Sequence, residues 1–90
     1  MAIKGTTPSG VNFEIDELRL DNMELVDALA EVEAGNVIAL SKVSALLLGG
    51  TLKAEIYSAI KKANDGRVPS EALTADLAYI LNAKNNELKK

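Results

Sequence analysis

Few residues in this chain could carry out chemistry, because its 90 residues include no histidine and no cysteine. Histidine is the commonest general base and the commonest metal ligand, so both roles lose their usual residue. The lack of cysteine excludes a disulfide framework and a thiolate metal site. We find no catalytic constellation among the remaining residues. We therefore expect a protein that is not an enzyme and that binds no cofactor and no metal.

Residues 65–68, Asp-Gly-Arg-Val, match the centre of a calcium-binding loop between two helices, where glycine occupies the sixth loop position. Such a loop also needs oxygen ligands at its other coordinating positions. Here the first position would be Lys61, the third Ala63 and the twelfth Ala72, and none of these side chains offers an oxygen. The segment therefore indicates a tight connection between helices and not a calcium site.

The Gly49-Gly50 pair, followed by Thr51 and Lys53, bears a partial likeness to a phosphate-binding loop. A P-loop needs a preceding strand, a longer loop framed by glycines and a Gly-Lys-Ser/Thr ending. This stretch has none of these features. The ordinary interpretation is that the glycines end one helix and that Thr51 caps the next.

Two charged stripes are the remaining polar patterns. Three carboxylates at helical spacing predict an acidic stripe on one helix, formed by Glu24, Asp27 and Glu31. Residues that recur every four positions predict a short basic stripe around a tyrosine on a later helix, formed by Lys53, Tyr57 and Lys61. The basic stripe could bind an acidic partner surface or the acidic stripe of the same chain. Plain exposure of both stripes to solvent is the alternative.

The bulk composition favours a single domain with an aliphatic core. Thirteen acidic against ten basic side chains give a formal net charge of −3, which disfavours binding to nucleic acid. The longest apolar run, residues 37–50, is shorter than the roughly 20 residues of a membrane span, and the N-terminus lacks the apolar core of a signal peptide. We expect a cytosolic protein with no membrane and no nucleic-acid partner.

The same stretch, 37–50, is the most continuously apolar part of the chain and predicts a central helix. At about 100° per residue, one face of that helix carries most of its aliphatic side chains, namely Ala39, Leu40, Val43, Leu46 and Leu47. The opposite face still carries Val37, Ile38 and Leu48. A helix that is apolar on both faces must be covered on both faces, by its own chain or by another.

The N-terminal segment, residues 1–16, predicts a β-hairpin. The turn chemistry of residues 7–10, Thr-Pro-Ser-Gly, separates two short segments. Alternation of apolar and polar residues after the turn places three side chains on one face, Val11, Phe13 and Ile15. Ile3 is the matching apolar residue before the turn. Because an isolated hairpin is only marginally stable, this one must pack on the helices.

Three further helices are predicted beside the central one, at 22–34, 52–64 and 70–85. Asp21 and Glu24 fit a capping box for the first of them, and Asn36 can cap the central helix. Because the links between helices are short, neighbouring helices must pack side by side or antiparallel. The predicted fold class is mainly α (α+β). Its single domain, 1–90, has four short helices in a compact bundle at 21–85, behind the N-terminal hairpin, and a frayed tail at 86–90.

The two helices around Gly49 also permit a helix-turn-helix interpretation, which would make the chain a small DNA-binding regulator. The second helix should then carry Arg, Asn or Gln near its start to contact base edges. It begins Leu-Lys-Ala-Glu at residues 52–55, with one lysine and one acid. DNA-binding regulation is kept as the alternative function.

Four stretches, taken in order, cover most of the chain and carry a family resemblance. They are FEIDE at 13–17, LDNMELVDAL at 20–29, LLLG at 46–49, and DGRVP at 65–69, which leads into a final amphipathic helix. In these stretches the chain resembles the small tail assembly chaperones of long-tailed bacteriophages, of the type found in phages and prophages of Gram-positive hosts.

The resemblance implies a non-enzymatic role in virion morphogenesis. Proteins of this family coat the long, helix-rich tape-measure protein before and during polymerisation of the tail tube. They keep it soluble, help to recruit the tail-tube protein and then leave the finished tail. The implied location is the cytoplasm of the bacterial host, with the protein absent from the mature virion. A longer, frameshifted product often accompanies the short one in this family.

A chaperone for a coiled, apolar polymer needs apolar contact surface and no active site. The predicted partner-binding residues are those of the second face of the central helix and of the basic stripe, namely Val37, Ile38, Leu48, Lys53, Tyr57 and Lys61. Burial of the second face by the hairpin or by another helix of the same chain is one alternative. Self-association through that face, which would give a homo-oligomer, is another.

Overall fold

The computed structural model describes residues 2–88 of the chain, with side chains described for residues 2–83. The elements follow in the order β1 (Ala2–Thr6), β2 (Asn12–Asp16), a 3-10 helix (Glu17–Leu20), α1 (Met23–Glu33), α2 (Ala39–Ala63) and α3 (Ser70–Leu88). This mainly helical architecture with an antiparallel N-terminal hairpin confirms the coarse fold class. The predicted frayed tail, 86–90, overlaps the end of α3, and residues 89–90 lie outside the described residues, as does Met1.

The hairpin forms with the predicted face toward the core. β1 and β2 pair so that Ile3 lies opposite Ile15 and Gly5 opposite Phe13. The side chains of Ile3, Phe13 and Ile15 are buried, and Val11 is half-buried against them. Gly5 leaves room for the Phe13 ring, because a Cβ at Gly5 would lie 3.0 Å from Phe13 Cζ. The ring in turn makes an edge-on contact with Tyr79 of α3, with ring centroids 6.2 Å apart.

Three α-helices are present within residues 2–88, so the prediction of four is wrong. The predicted second and third helices are joined as α2, and the predicted stop at the glycine pair is a kink. The backbone leaves helical geometry at Gly49 alone, with φ 73° and ψ 174°, a conformation that is essentially restricted to glycine. Helical structure resumes at the next residue, so Thr51 lies inside α2 and does not cap a separate helix.

The kink allows both arms of α2 to pack on one core. Ile56 comes nine residues after Leu47, which corresponds to about 180° around a straight helix. Both side chains are nevertheless fully buried, as are Val43 on the first arm and Ile60 on the second. A straight helix would expose one of these two apolar faces. The change of direction at Gly49 is therefore what brings them to the same side.

Arg19, in the 3-10 helix, contacts the kink. Its Nη1 donates a hydrogen bond to the carbonyl oxygen of Leu46 at 3.4 Å. Carbonyl groups at the end of a helical arm lack some of their helical donors, and the negative end of the helix dipole attracts a cation. Arg19 supplies both a donor and a positive charge there. The fit is close, since a Cβ built on Gly49 would lie 3.2 Å from Arg19 Nη2.

The starts of α1 and α2 differ from the predicted ones by one or two residues, whereas α3 begins at Ser70 as predicted. Asn22, and not Asp21, is the N-cap of α1, because the Asn22 side chain accepts a hydrogen bond from the Glu24 N–H at 3.0 Å. The Asp21 N–H instead closes the 3-10 helix by donating to the Leu18 carbonyl. No side chain caps α2, so the predicted Asn36 cap is wrong; the Asn36 backbone carbonyl accepts from the Ala39 N–H instead.

A buried polar cluster holds the hairpin turn against α3. The Asp76 carboxylate is buried and accepts hydrogen bonds from the Ser9 N–H, at 3.2 Å, and from the Ser9 hydroxyl. Thr7 Oγ1 accepts from the Val11 N–H at 3.1 Å and lies 3.0 Å from Ser9 Oγ. Among the described side chains, no buried polar atom lacks a partner. Asp76 is therefore a directional link between two elements that otherwise meet through apolar packing.

Replacement of Gly49 by alanine should destabilise the fold for two reasons. The alanine backbone would have to adopt a positive φ, and the added Cβ would lie beside the Arg19 guanidinium. We expect Gly49→Ala to lower the free energy of unfolding by about 1–3 kcal/mol, measured by urea denaturation with circular dichroism. Gly50→Ala is the matched control, since Gly50 lies in helical backbone with no atom within 4 Å of its Cβ position. That variant should be unchanged or up to about 1 kcal/mol more stable. Equal losses in the two variants would contradict the role assigned to the kink.

Removal of the Asp76 carboxylate should release the hairpin turn. We expect Asp76→Ala to lower the free energy of unfolding by about 2 kcal/mol, because two hydrogen bonds to a charged group are lost. Amide hydrogen exchange at Ser9 and Val11 should accelerate at the same time. Glu71→Ala, which removes an exposed carboxylate from the same helix, should cost less than about 1 kcal/mol. Unchanged exchange in the turn would show that Asp76 does not hold it.

Candidate interaction surface

The residues of the predicted outer face of the central helix lie in two different environments. Val37 and Ile38 are 54% and 81% exposed, whereas Leu48 is only 4% exposed and belongs to the core. The three residues do not share a helix face, because α2 begins at Ala39 and the first two lie in the preceding turn. Leu48 therefore has almost no surface to offer a partner in this fold. Val37 and Ile38 together form an exposed apolar corner between α1 and α2, named here the α1–α2 corner.

A shallow groove lies beside this corner. Its volume is about 520 Å³, and it runs between the α1–α2 corner and the first half of α3. The wall from the corner side is aliphatic and includes Val32, Val37 and Leu40. The opposite wall, on α3, consists of Ala75 and Ala78 together with the polar residues Ser70, Glu71 and Thr74. The combination of a protruding isoleucine and an open apolar groove can receive aliphatic side chains from another chain.

The predicted basic stripe lies on the second arm of α2. Lys53 and Tyr57 are half-buried, and Lys61 is exposed. Lys53 Nζ lies 5.4 Å from the centroid of the Tyr57 ring, a distance typical of a cation–π contact. The Tyr57 side chain also packs against the core. Two of the three residues are thus engaged within the chain, which leaves Lys61 as the most accessible member of the stripe.

A second group of exposed apolar side chains lies on α1 and was not predicted from the sequence. Met23 is 68% exposed and Val26 46% exposed, and Ala30 is exposed as well. At about 100° per residue, these three residues occupy a sector of about 60° on the helix, which we name the α1 ridge. Leu18, in the preceding 3-10 helix, is 71% exposed. The helical phase of these residues was the available signal, because each of them lies at least about 100° around the helix from the buried Leu25 and Ala28.

Acidic side chains border the α1 ridge. Helical geometry places the acidic stripe next to the ridge on its solvent side, and its members are all exposed: Glu24, Asp27 and Glu31. Residues 20–41 contain five acids and no base, which gives −5, so the rest of the chain carries −3 − (−5) = +2. Among the described basic side chains, none lies within salt-bridge distance of the acidic stripe. This surface is therefore both apolar and strongly negative.

No protein-family model matches the chain, and comparisons with curated proteins and with solved structures gave no significant match. Within the described residues, one helix, α2, is long and apolar enough to cross a membrane by length and composition. The apolar run at 37–50 is by itself shorter than a membrane span, but α2 continues beyond Gly49 as far as Ala63. Eight of its side chains are buried against the rest of the chain, as in the core helix of a globular domain.

Substitutions at the two ends of the predicted outer face should differ strongly in their effect on stability. Ile38→Asp should change the free energy of unfolding by less than about 0.5 kcal/mol, because the side chain is 81% exposed. Leu48→Ala should lower it by about 2–5 kcal/mol, because it leaves a cavity in the core. Urea denaturation of both variants measures the difference. Unfolding of the Ile38→Asp protein would show that Ile38 belongs to the core and not to a free surface.

Proposed function

We propose that this protein is a non-enzymatic phage tail assembly chaperone, which binds the tape-measure protein and assists assembly of the tail tube. The observation that carries the proposal is the α1–α2 corner, where Ile38 is 81% exposed beside an apolar groove of about 520 Å³. The family resemblance of the four sequence stretches supports the same role.

The α1–α2 corner suits a client that presents aliphatic side chains along a helix. Val37 and Ile38 are adjacent in a turn, so that both can contact one partner surface. The groove beside them is open, and its lining is mostly apolar, with the polar residues Ser70, Glu71 and Thr74 on the α3 side. A contact of this size buries little area and supports only modest affinity for each copy. Modest affinity fits a chaperone that coats a long client in many copies and is later displaced.

The alternative, a small DNA-binding regulator, has less support. A helix-turn-helix joins its two helices at about 90–120° through a turn of three to four residues. Within residues 39–63 the helix is interrupted at the single residue Gly49. Lys53, the basic residue nearest the start of the second arm, lies over the Tyr57 ring. These observations do not favour the contacts with base edges that such a regulator needs.

Co-expression with the client tests the proposal. The protein should keep a fragment of the tape-measure protein from the same phage or prophage in the soluble fraction, where the fragment alone precipitates. Ile38→Asp should reduce the soluble fraction of the client at least several-fold, because a charge in the contact must be desolvated. The soluble amounts are measured by quantitative immunoblotting.

Ser58→Asp is the matched control, since it adds the same charge at an exposed position on the second arm of α2. It should keep the client soluble as well as the unsubstituted chain does. Failure of the unsubstituted chain to keep the client soluble would overturn the proposed function. If the Ile38→Asp variant keeps the client fully soluble, the α1–α2 corner is not the surface that binds the client.

A further inference from the structure

We infer that the α1 ridge and its acidic stripe form a docking surface for a basic amphipathic helix, one whose apolar stripe is flanked by lysine or arginine. The inference rests on the proposed function, because it names the chemistry of the client segment that the chaperone holds. It assigns client selection to α1, a helix that the predicted partner-binding residues did not include.

The apolar part of this surface has the shape of a helix-binding strip. Met23, Val26 and Ala30 follow the i, i+3, i+7 spacing of a helix face. With a rise of 1.5 Å per residue, the strip is about 10 Å long from Met23 to Ala30 and is extended by the exposed Ala34 at the helix end. An apolar stripe of two to three turns on a partner helix matches this length. The α1–α2 corner lies just beyond the same end of α1.

The charge on α1 decides what kind of helix fits. The acidic stripe is exposed and unpaired with any described basic side chain, and residues 20–41 carry −5. A partner helix on the ridge brings its flanking residues next to these carboxylates. Lysine or arginine at those positions would gain from the field, and glutamate or aspartate would be repelled. The surface therefore selects by charge among helices with the same apolar stripe.

A second copy of this chain fits the α1 ridge poorly. A symmetric pair with ridge against ridge would bring two segments of −5 together. The basic stripe on α2 of another copy would match the charge, yet no large apolar side chain between residues 50 and 63 is exposed to cover the ridge. Charge and apolar contact are both satisfied only by a partner that carries basic residues beside an apolar stripe.

Binding of three synthetic peptides tests the inference. Each has about 20 residues and one identical leucine stripe at helical spacing, and the flanking positions are all lysine, all glutamine or all glutamate. Fluorescence anisotropy on the full chain gives each dissociation constant. We expect the lysine peptide to bind at least about tenfold more tightly than the glutamate peptide. The preference should shrink several-fold between about 0.05 M and about 0.5 M salt, because exposed charges are screened.

Two variants separate the apolar and charged contributions. Val26→Gln should weaken the binding of all three peptides by a similar factor. Asp27→Lys combined with Glu31→Lys should reverse the order of the lysine and glutamate peptides. The matched control reverses two exposed acids outside α1, Glu14→Lys with Glu55→Lys, so that the net charge is the same. It should keep the original order, with all variants checked for helicity by circular dichroism.

Several outcomes overturn the inference. The first is equal binding of the three peptides to the unsubstituted chain, and the second is an unchanged order of the peptides with the α1 charge variant. The third is the same reversal of order with the control variant, and the fourth is that the Val26→Gln variant binds the peptides as tightly as the unsubstituted chain does. If the unsubstituted chain self-associates in sedimentation velocity and the α1 variants do not, the occupant of this surface is a second copy of the chain and the inference is wrong. If the peptides show the expected order and the tape-measure fragment still precipitates, the proposed function fails and the helix-binding surface stands. If the fragment is kept soluble and the peptides bind equally, only the inference fails.

Discussion

The burial of the core depends on one backbone conformation, the positive φ of 73° at Gly49. The apolar residues of α2 occupy two phases that differ by about 180° on a straight helix, so no straight helix of this sequence could bury both. The kink brings Leu47 and Ile56 to the same side, and Arg19 donates to the Leu46 carbonyl beside it. The same contact ties the 3-10 helix to α2, and the 3-10 helix leads directly into α1. The conformation of Gly49 thus determines how the two arms of α2 pack on the core and where the 3-10 helix contacts α2.

Directional contacts are few and specific, because the core is almost entirely aliphatic. Aliphatic packing is non-directional, and it tolerates rearrangement of side chains of similar volume. The hairpin is placed by two contacts with α3, the Ser9 hydrogen bonds to Asp76 and the edge-on contact of Phe13 with Tyr79. α1 has no comparable polar link to another helix among the described side chains, and it is held by the burial of Leu25 and Ala28. Its remaining circumference is therefore free to face solvent or a partner.

The sequence predicts local structure here better than it predicts connections between elements. Alternation located the hairpin and its inner face, and periodicity located α1 and α3 within a few residues. The glycine pair was ambiguous, because a glycine after an apolar run can end a helix or kink it, and only tertiary packing decides. The start of α2 at Ala39 had no side-chain cap to mark it. On a straight helix, phase places Leu48 with Val37 on the outer face, whereas in the folded chain Leu48 lies in the core immediately before the kink. The sequence predicts the acidic stripe of α1 but not the α1 ridge, because residue type alone does not show which apolar side chains of a helix are covered by tertiary packing.

Exposure of an apolar surface and an excess of acid on the same helix belong together physically. A chain of 90 residues that leaves Met23, Val26 and Ile38 exposed offers sites at which copies could stick to one another. Five acids within residues 20–41 oppose that association, because two such segments repel at close range. The same charges do not oppose a partner that carries lysine or arginine beside its own apolar stripe. The arrangement thus disfavours the wrong occupant by repulsion as well as favouring the right one by contact, which is how specificity arises on a surface with no deep pocket.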